Sequence, residues 1–378
     1  MNKSCLIGFL MCSAFSLVVQ AATDGAHITK TISQIERKKG IKRTIQYRPD
    51  GNDFVCVNGK NRYTRALYGG ITDFRIETSD RPVFATYKPK DSKHICFRLQ
   101  CGNQSIALDS LKFCEARYRA GRRTYRLTDP LLGKGELNIS VLAFPDAEGG
   151  IWRFTMKDMP EGALLHCYIS EIRAKNLSRN GDMGADRADS FDAPQLPKEQ
   201  KHYKLSLDGT TAYIVVEDQE LRLPALVEGT SLYDKSEKWR SEIESSLQIS
   251  TPDPYFNPLG GALAAAADGI WDGKIWLHGA IGWRSQLNGW RAAYIGDFIG
   301  WHDRARTHFD SYAASQVTDV PATIPHPTQD TALHLARSVK KWGTPHYSNG
   351  YICRTPYRKD QMHHYDMNLS LIHISEPT

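Results

Sequence analysis

In the first half of the chain, short apolar runs alternate with clusters of Gly, Asn, Asp and Pro. Within several runs apolar and polar positions alternate, which is typical of half-buried strands. The strand-like runs lie at residues 54–57, 83–87, 94–99, 123–127, 137–144, 151–156, 205–207 and 212–217. About ten strands at this spacing predict a large antiparallel β-sandwich over residues 22–232.

The pattern changes to helical spacing near residue 234. Trp239, Ile243 and Leu247 recur at intervals of four, which predicts a helix over 235–247 inside a linker at 233–258. Further helices are predicted over 260–271, 289–299, 303–316 and 328–342. Strands followed by helices indicate two domains rather than one α/β sheet.

The N-terminus has the pattern of a signal peptide. Lys3 precedes an apolar run at 5–19, and small residues allow cleavage after Ala21. The run is too short for a permanent transmembrane segment. Residues 1–21 therefore predict an exported, periplasmic protein. An outer-membrane lipoprotein is disfavoured because Cys12 lies in the middle of the apolar run.

Charge and cysteine spacing exclude some function classes. The net charge is +6, and the basic stretch at 36–43 resembles a solvated arm, so no nucleic-acid partner is predicted. None of the cysteines forms a C-x-x-C pair, so neither a metal site nor another cofactor is predicted. The cysteines are either buried thiols or disulfide partners, which spacing does not decide.

The densest candidate chemistry lies between residues 271 and 304, where five of the eight tryptophans occur. Sugar C–H faces stack on indoles, and sugar hydroxyls need donors and acceptors nearby. The predicted oligosaccharide- or polysaccharide-binding residues here are Trp276, His278, Trp283, Arg284, Asn288, Trp290, Arg291, Tyr294 and Trp301. The alternative is that these tryptophans are core residues on one helical stripe.

Two carboxylates in this segment are candidate catalytic residues, because glycoside hydrolysis generally uses a carboxylate pair. Asp297 is the first candidate, since it lies one helical turn from Tyr294. Its alternative role is an ion pair with Arg291 or Arg304. Asp303 is the second candidate, and its alternative role is a helix N-cap. A third carboxylate, Asp272, is interpreted as closing a turn.

A second polar and aromatic segment occupies 361–368. His364 and Asp366 are predicted to bind sugar hydroxyls, with capping of a helix start as the alternative. The adjacent His363 and His364 point to different faces of a helix, so they do not form a zinc pair.

Three motifs resemble known proteins. Residues 61–69 resemble the opening of the DUF4450 family, and 276–316 and 362–368 resemble the six-hairpin glycosidase domain that follows it. The resemblance implies an exported protein of Bacteroidetes that degrades plant and host glycans. It also implies a β-sandwich, a linker and an (α/α)6 barrel with catalytic residues on loops at the helix ends.

The resemblance further implies that the barrel at 259–369 is incomplete, because the segment carries only part of the helices required. Residues 370–378 resemble translated sequencing-adapter read-through, so we expect a non-native tail there. The predicted function is that of an inactive fragment of a glycoside hydrolase acting on plant or host oligosaccharides. The alternatives are a non-catalytic carbohydrate-binding protein and a uronate-specific polysaccharide lyase with Tyr294 or His364 as base.

Overall fold

The computed structural model describes residues 46–88, 91–171, 201–277, 290–316, 329–330, 335–336, 352 and 356. The predicted signal peptide at 1–21 and the predicted tail at 370–378 lie outside these residues. The described part of the chain forms two large antiparallel sheets, followed by four helices.

The first sheet has eight strands, in the order β1 (Arg48–Asp50), β2 (Asp53–Val57), β8 (Phe113–Arg119), β9 (Arg122–Thr128), β10 (Glu136–Ala143), β11 (Gly149–Lys157), β14 (Thr211–Glu217) and β15 (Glu220–Arg222). The second has seven, in the order β13 (Lys201–Ser206), β12 (Leu164–Glu171), β6 (Asp91–Cys101), β5 (Phe84–Lys88), β4 (Arg75–Ser79) and β3 (Tyr63–Tyr68), with β7 (Gln104–Ala107) paired to β6. Two short 3-10 helices, Leu108–Ser110 and Pro130–Leu132, interrupt the strand sequence.

The two sheets bury one common core, and this confirms the predicted antiparallel sandwich. The alternation of buried and less buried positions is visible in β8. Cys114 and Ala116 are buried in the core, whereas Arg117 lies on the outer face of the sheet and is only half-buried. Phe84 of the second sheet contacts the rings of Tyr125 and Trp152 of the first edge-on, each at 5.6 Å between centroids. Such contacts between the sheets exclude water from the interior.

Arg123 is a charged side chain that lies wholly inside the sandwich. Arg123 of β9 donates to the hydroxyl of Tyr47 at 2.6 Å and to the carbonyl oxygen of Ser79 at 2.8 Å. Its guanidinium also faces the rings of Tyr47 and Tyr125. These contacts offset much of the free-energy cost of burying the Arg123 cation, because they supply hydrogen-bond acceptors and aromatic faces in place of water.

The first helix, α1 (Leu226–Ser245), packs on the outer face of the eight-stranded sheet. It begins at Leu226 rather than at residue 235, because tertiary packing on the sheet extends it beyond the apolar repeat. The hydroxyl of Tyr233 lies 2.7 Å from that of Ser140 on β10. At Gly229 the helix comes so close to the ring of Tyr213 that a Cβ would overlap it.

The remaining helices are α2 (Leu259–Gly269), α3 (Trp290–Phe298) and α4 (His302–Ala313). They agree with the predicted helices to within a few residues. The partial (α/α)6 barrel that the resemblance implies over 259–369 stays a prediction. Among the described helices, none combines the length and apolar content that a membrane crossing requires.

The helix predicted over 328–342 is wrong. Gln329–Asp330 (β16) pairs antiparallel with Leu335–Ala336 (β17), and residues paired as strands cannot belong to one continuous helix. Apolar residues three or four apart over so short a window fit both structures, so local spacing does not decide between them.

Candidate functional site

The candidate site begins in a tight turn directly after α2. Trp271 and Trp276 form an isolated antiparallel bridge, and their rings lie 4.6 Å apart. The Asp272 carboxylate accepts the backbone N–H groups of Lys274 at 2.9 Å and Ile275 at 2.8 Å. Gly273 adopts a φ of +96°, which favours glycine. Asp272 thus closes the turn.

Trp276 is a core residue, which corrects its prediction as a sugar-binding residue. Its side chain is 0% exposed, and its indole N–H donates to the carbonyl oxygen of Ala267 at 3.1 Å. Its backbone N–H donates to Nδ1 of the buried His308 on α4 at 3.2 Å. Gly296 of α3 lies against its ring. An indole enclosed by three helices has no free face on which a sugar could stack.

Trp301 occupies a different environment, on the half-buried surface next to Trp271. The Arg304 guanidinium lies 4.3 Å from the Trp301 ring and 5.8 Å from the Trp271 ring. The Trp301 indole N–H donates to the Ser246 hydroxyl at the end of α1, at 3.3 Å. We call Trp271, Trp301 and Arg304 the Trp–Arg surface. Its aromatic and guanidinium groups are joined by cation–π contacts.

Asp268 at the end of α2 anchors this surface. Its carboxylate accepts from Arg304 at 2.7 Å, and the carboxylate side chain is only 6% exposed. Burial raises the pKa of Asp268, and the charge and hydrogen bond of Arg304 offset only part of that rise. The carboxyl therefore depends on Arg304 for its ionised form.

Asp297, the first catalytic candidate, lies on an exposed corner between α3 and α4. Its carboxylate is 2.9 Å from Nδ1 of His302, and both side chains are mostly exposed, at 72% and 67%. The alternative ion pair with Arg304 is wrong, since Arg304 binds Asp268 instead. Tyr294, one turn earlier, is also exposed.

Asp303, the second candidate, does not cap α4. The N-cap position is Trp301, which makes no side-chain capping bond, and Asp303 lies within the first turn. The helix begins earlier because the chain turns at Gly300, with φ +79°. The Asp303 side chain is 99% exposed, and Arg306 is 4.0 Å away.

The other predicted site side chains lie outside the part of the chain whose side chains are described: His278, Trp283, Arg284, Asn288, Trp290, Arg291, His364 and Asp366. The structure therefore brings Trp301 and Asp297 to one region of α3 and α4. It adds Arg304, Asp268 and Trp271, which were not in the predicted binding set.

A cleft of about 700 Å³ lies between α1, α2 and two turns of the eight-stranded sheet. Arg240 of α1 binds Glu237 and Glu244 of the same helix, each at 2.7 Å. Arg119 of the sheet binds Glu244 at 2.6 Å. Burial raises the pKa of Glu244, but hydrogen bonds from Arg119 and Arg240 outweigh it, so the pKa is lowered.

The Glu244 carboxylate therefore stays an anion. Through Arg119 and Arg122 of the sheet, Glu244 and Glu237 tie α1 to the sandwich. Their spacing along α1 was the sequence signal, since residues three, four and seven apart share a helical face. Among the residues that the structure describes, no group of His, Cys, Asp and Glu side chains could hold a metal ion.

Comparison with known proteins finds one family model that matches part of the chain. Residues 89–216 match the model of the family described as "Domain of unknown function (DUF4450)". The match runs from β6 to β14, so the motif at 61–69 lies outside it. This result confirms the resemblance for the strands of the sandwich. The resemblance of 276–316 and 362–368 to a six-hairpin glycosidase domain stays a prediction.

No curated protein sequence matches the chain. Among solved structures, a crystal structure of a bacterial glucoamylase complexed with acarbose is similar over 73% of this chain, with 9% sequence identity and a TM-score of 0.38. The match covers 53% of the glucoamylase chain, so this chain spans about half the length of that structure.

Proposed function

We propose that this protein binds oligosaccharides at the Trp–Arg surface and belongs to the exported, glycan-degrading class of proteins. The observation that carries the proposal is the Arg304 guanidinium, which contacts two half-buried indoles while Asp268 fixes its position. Export to the periplasm is proposed from the sequence pattern at 1–21.

The chemistry of this surface suits a sugar. Partly exposed indoles offer apolar area for pyranose C–H groups, and Arg304 offers fixed donors for hydroxyl groups beside them. The exposed polar groups of Tyr294, Asp297 and His302 lie on the adjoining ends of α3 and α4. A rigid aromatic group flanked by a few polar groups is typical of small-molecule sites.

For the catalytic step we propose glycoside hydrolysis, with Asp297 as one of the carboxylates that such a reaction requires. The hydrogen bond to His302 supports this role, because an imidazole can orient a carboxylate and exchange a proton with it. The proposed hydrolysis is that of a longer, glycan-degrading protein of which this chain would be a part, and its substrates would be plant or host glycans.

Binding is tested by tryptophan fluorescence during titration with pectic and arabinogalactan oligosaccharides. We expect Trp301→Ala to weaken binding about tenfold, corresponding to about 1.4 kcal/mol. Trp239→Ala is the matched control, because Trp239 is a half-buried tryptophan on α1 outside the Trp–Arg surface. Equal effects of the two substitutions would refute the proposed surface.

The catalytic step is tested by product release from the same oligosaccharides with Asp297→Asn beside the unmodified protein. Unchanged turnover in the variant would remove Asp297 from the mechanism. Binding without product supports a carbohydrate-binding protein that is not catalytic. An unsaturated product that absorbs ultraviolet light would instead indicate a lyase, for which the exposed Tyr294 is the candidate base.

A further inference from the structure

A separate cleft of about 370 Å³ lies on the outer face of the eight-stranded sheet, beside α1. Its floor consists of two rows of side chains that face away from the core. Strand pairing aligns Arg117, Thr124, Ser140 and Arg153 in the first row and Glu115, Arg126, Asn138 and Thr155 in the second. Tyr233 of α1 lines the cleft from the side.

Arginines make up most of the charged side chains that line the cleft. Four arginines line it, whereas Glu115 is the one carboxylate among its lining residues. Three of the arginines have carboxylate partners. Arg117 binds Glu115 and Asp50, each at 2.8 Å, and Asp53 at 3.3 Å. Arg126 binds Glu115 at 3.4 Å and Glu136 at 3.5 Å, and Arg122 binds Glu237 at 2.8 Å. These carboxylates compensate the charges of all three arginines.

Arg153 differs from the other three. Within the described residues its guanidinium forms no hydrogen bond and no ion pair, and its Nε is buried. Its Cζ lies 3.8 Å from the centroid of the Tyr233 ring. The ring stabilises the cation and holds its plane in place, because the hydroxyl of Tyr233 is itself fixed by Ser140.

Because an aromatic ring holds the Arg153 guanidinium and no described residue supplies it with a carboxylate, the guanidinium is oriented to bind an anion. Its forked donors match the two oxygens of a carboxylate. The hydroxyls of Thr124 and Ser140 and the amide of Asn138 on neighbouring strands also line the cleft, as does the hydroxyl of Thr155 on the same strand. These groups both donate and accept hydrogen bonds, as sugar hydroxyls require.

We propose that this cleft binds a sugar that carries a carboxylate, a uronate, with its carboxylate on Arg153 and its hydroxyls on the surrounding polar side chains. The volume is at the lower end of that of small-molecule sites, so the cleft suits about one sugar residue rather than a long chain. The site is distinct from the Trp–Arg surface and does not rest on it.

The test is calorimetric titration of the 378-residue chain with glucuronate, glucose and inorganic sulfate. We expect glucuronate to bind at least tenfold more tightly than glucose, and Arg153→Met to remove that preference. Arg98→Met, an exposed arginine on the other sheet, is the matched control and should change nothing. Should Arg153→Met fail to fold, Arg153→Lys keeps the charge without the fork and is expected to weaken binding several-fold.

Equal affinity for glucuronate and glucose, or unchanged affinity in a folded Arg153 variant, would overturn the site. Sulfate that binds as tightly as glucuronate would overturn the assignment to a sugar. Trp301→Ala should leave glucuronate binding intact, so the two proposed surfaces can fail independently of each other.

Discussion

The sandwich and the helices that follow it bury apolar surface in different ways. In the sandwich, one cluster of buried side chains joins both sheets and contains Trp152, Phe84 and Phe97. Among the described residues of the helical segment, one buried cluster consists of Ile275 and Tyr312 with Phe309 and Ile352 packed against it, and Trp276 is buried between the helices. Large apolar side chains in the helices are exposed, among them Val227 at 84% and Phe298 at 82%.

The difference shows how each element obtains its stability. Two sheets cover each other, so a core forms as soon as the strands pair. A helix has little stability alone and depends on the surfaces that its neighbours provide. In the described helices, polar contacts carry much of the attachment, such as the ion pair of Arg304 with Asp268 and the hydrogen bond from Thr72 to the carbonyl oxygen of Gly269.

The largest expected effect comes from removing the centre of the sandwich. Trp152→Ala should lower the free energy of unfolding by about 3–5 kcal/mol, because it leaves a large cavity among Phe84 and its neighbours. Urea unfolding followed by circular dichroism measures this loss. A change below about 1 kcal/mol would contradict the view that the two sheets form one tightly packed core.

The next largest expected effect is a loss of folding stability at acidic pH. Burial lowers the pKa of His94 on β6 from 6.5 to about 4. The unfolded chain therefore binds this proton at a higher pH than the folded chain does. The stability due to neutral His94 is complete above pH 6.5 and is lost as the pH falls towards 4, by about 2 kcal/mol between pH 7 and pH 5.

Urea midpoints at pH 7 and pH 5 test this linkage. His94→Gln should reduce the difference between the two midpoints, whereas His302→Gln, an exposed histidine of the helical segment, should preserve it. A His94 variant that kept the full difference between the two midpoints would contradict the assignment of the acid sensitivity to His94.

In the helical segment, Arg304→Met should cost about 1.5 kcal/mol, because Asp268 is left buried without its cation. The pKa of Asp268 should rise further in this variant. Adding Asp268→Asn should restore part of the lost stability, since it removes the unpaired charge. Thermal unfolding of the three variants provides the comparison, and additive losses would argue against the pairing.

The smallest effect is expected at Phe298, the most exposed aromatic side chain among those described in the helices. Phe298→Ser should change the free energy of unfolding by less than about 0.5 kcal/mol, because the side chain buries little surface. The same urea experiment used for Trp152→Ala measures it. A loss comparable to that of Trp152→Ala would show that the helical segment is as tightly packed as the sandwich.

Much of the fold could be predicted because strand alternation and helical spacing are local. The candidate site was predicted less well. Trp276 and Trp301 lie in the same tryptophan-rich segment, yet Trp276 is enclosed by three helices and Trp301 borders solvent. Arg304 was considered only as a partner of Asp297, because its carboxylate Asp268 lies in another helix.

By itself, the sequence determined the antiparallel sandwich, the change to helices and the concentration of tryptophan between residues 271 and 301. These depend on periods of two and about four residues and on composition, which neighbours along the chain express. Only the tertiary structure decided which tryptophan is covered, which carboxylate meets Arg304 and that Arg153 faces a polar cleft. It also replaced a predicted helix by the β16–β17 pair. Such outcomes depend on contacts between residues far apart in the chain, and local patterns carry no information about them.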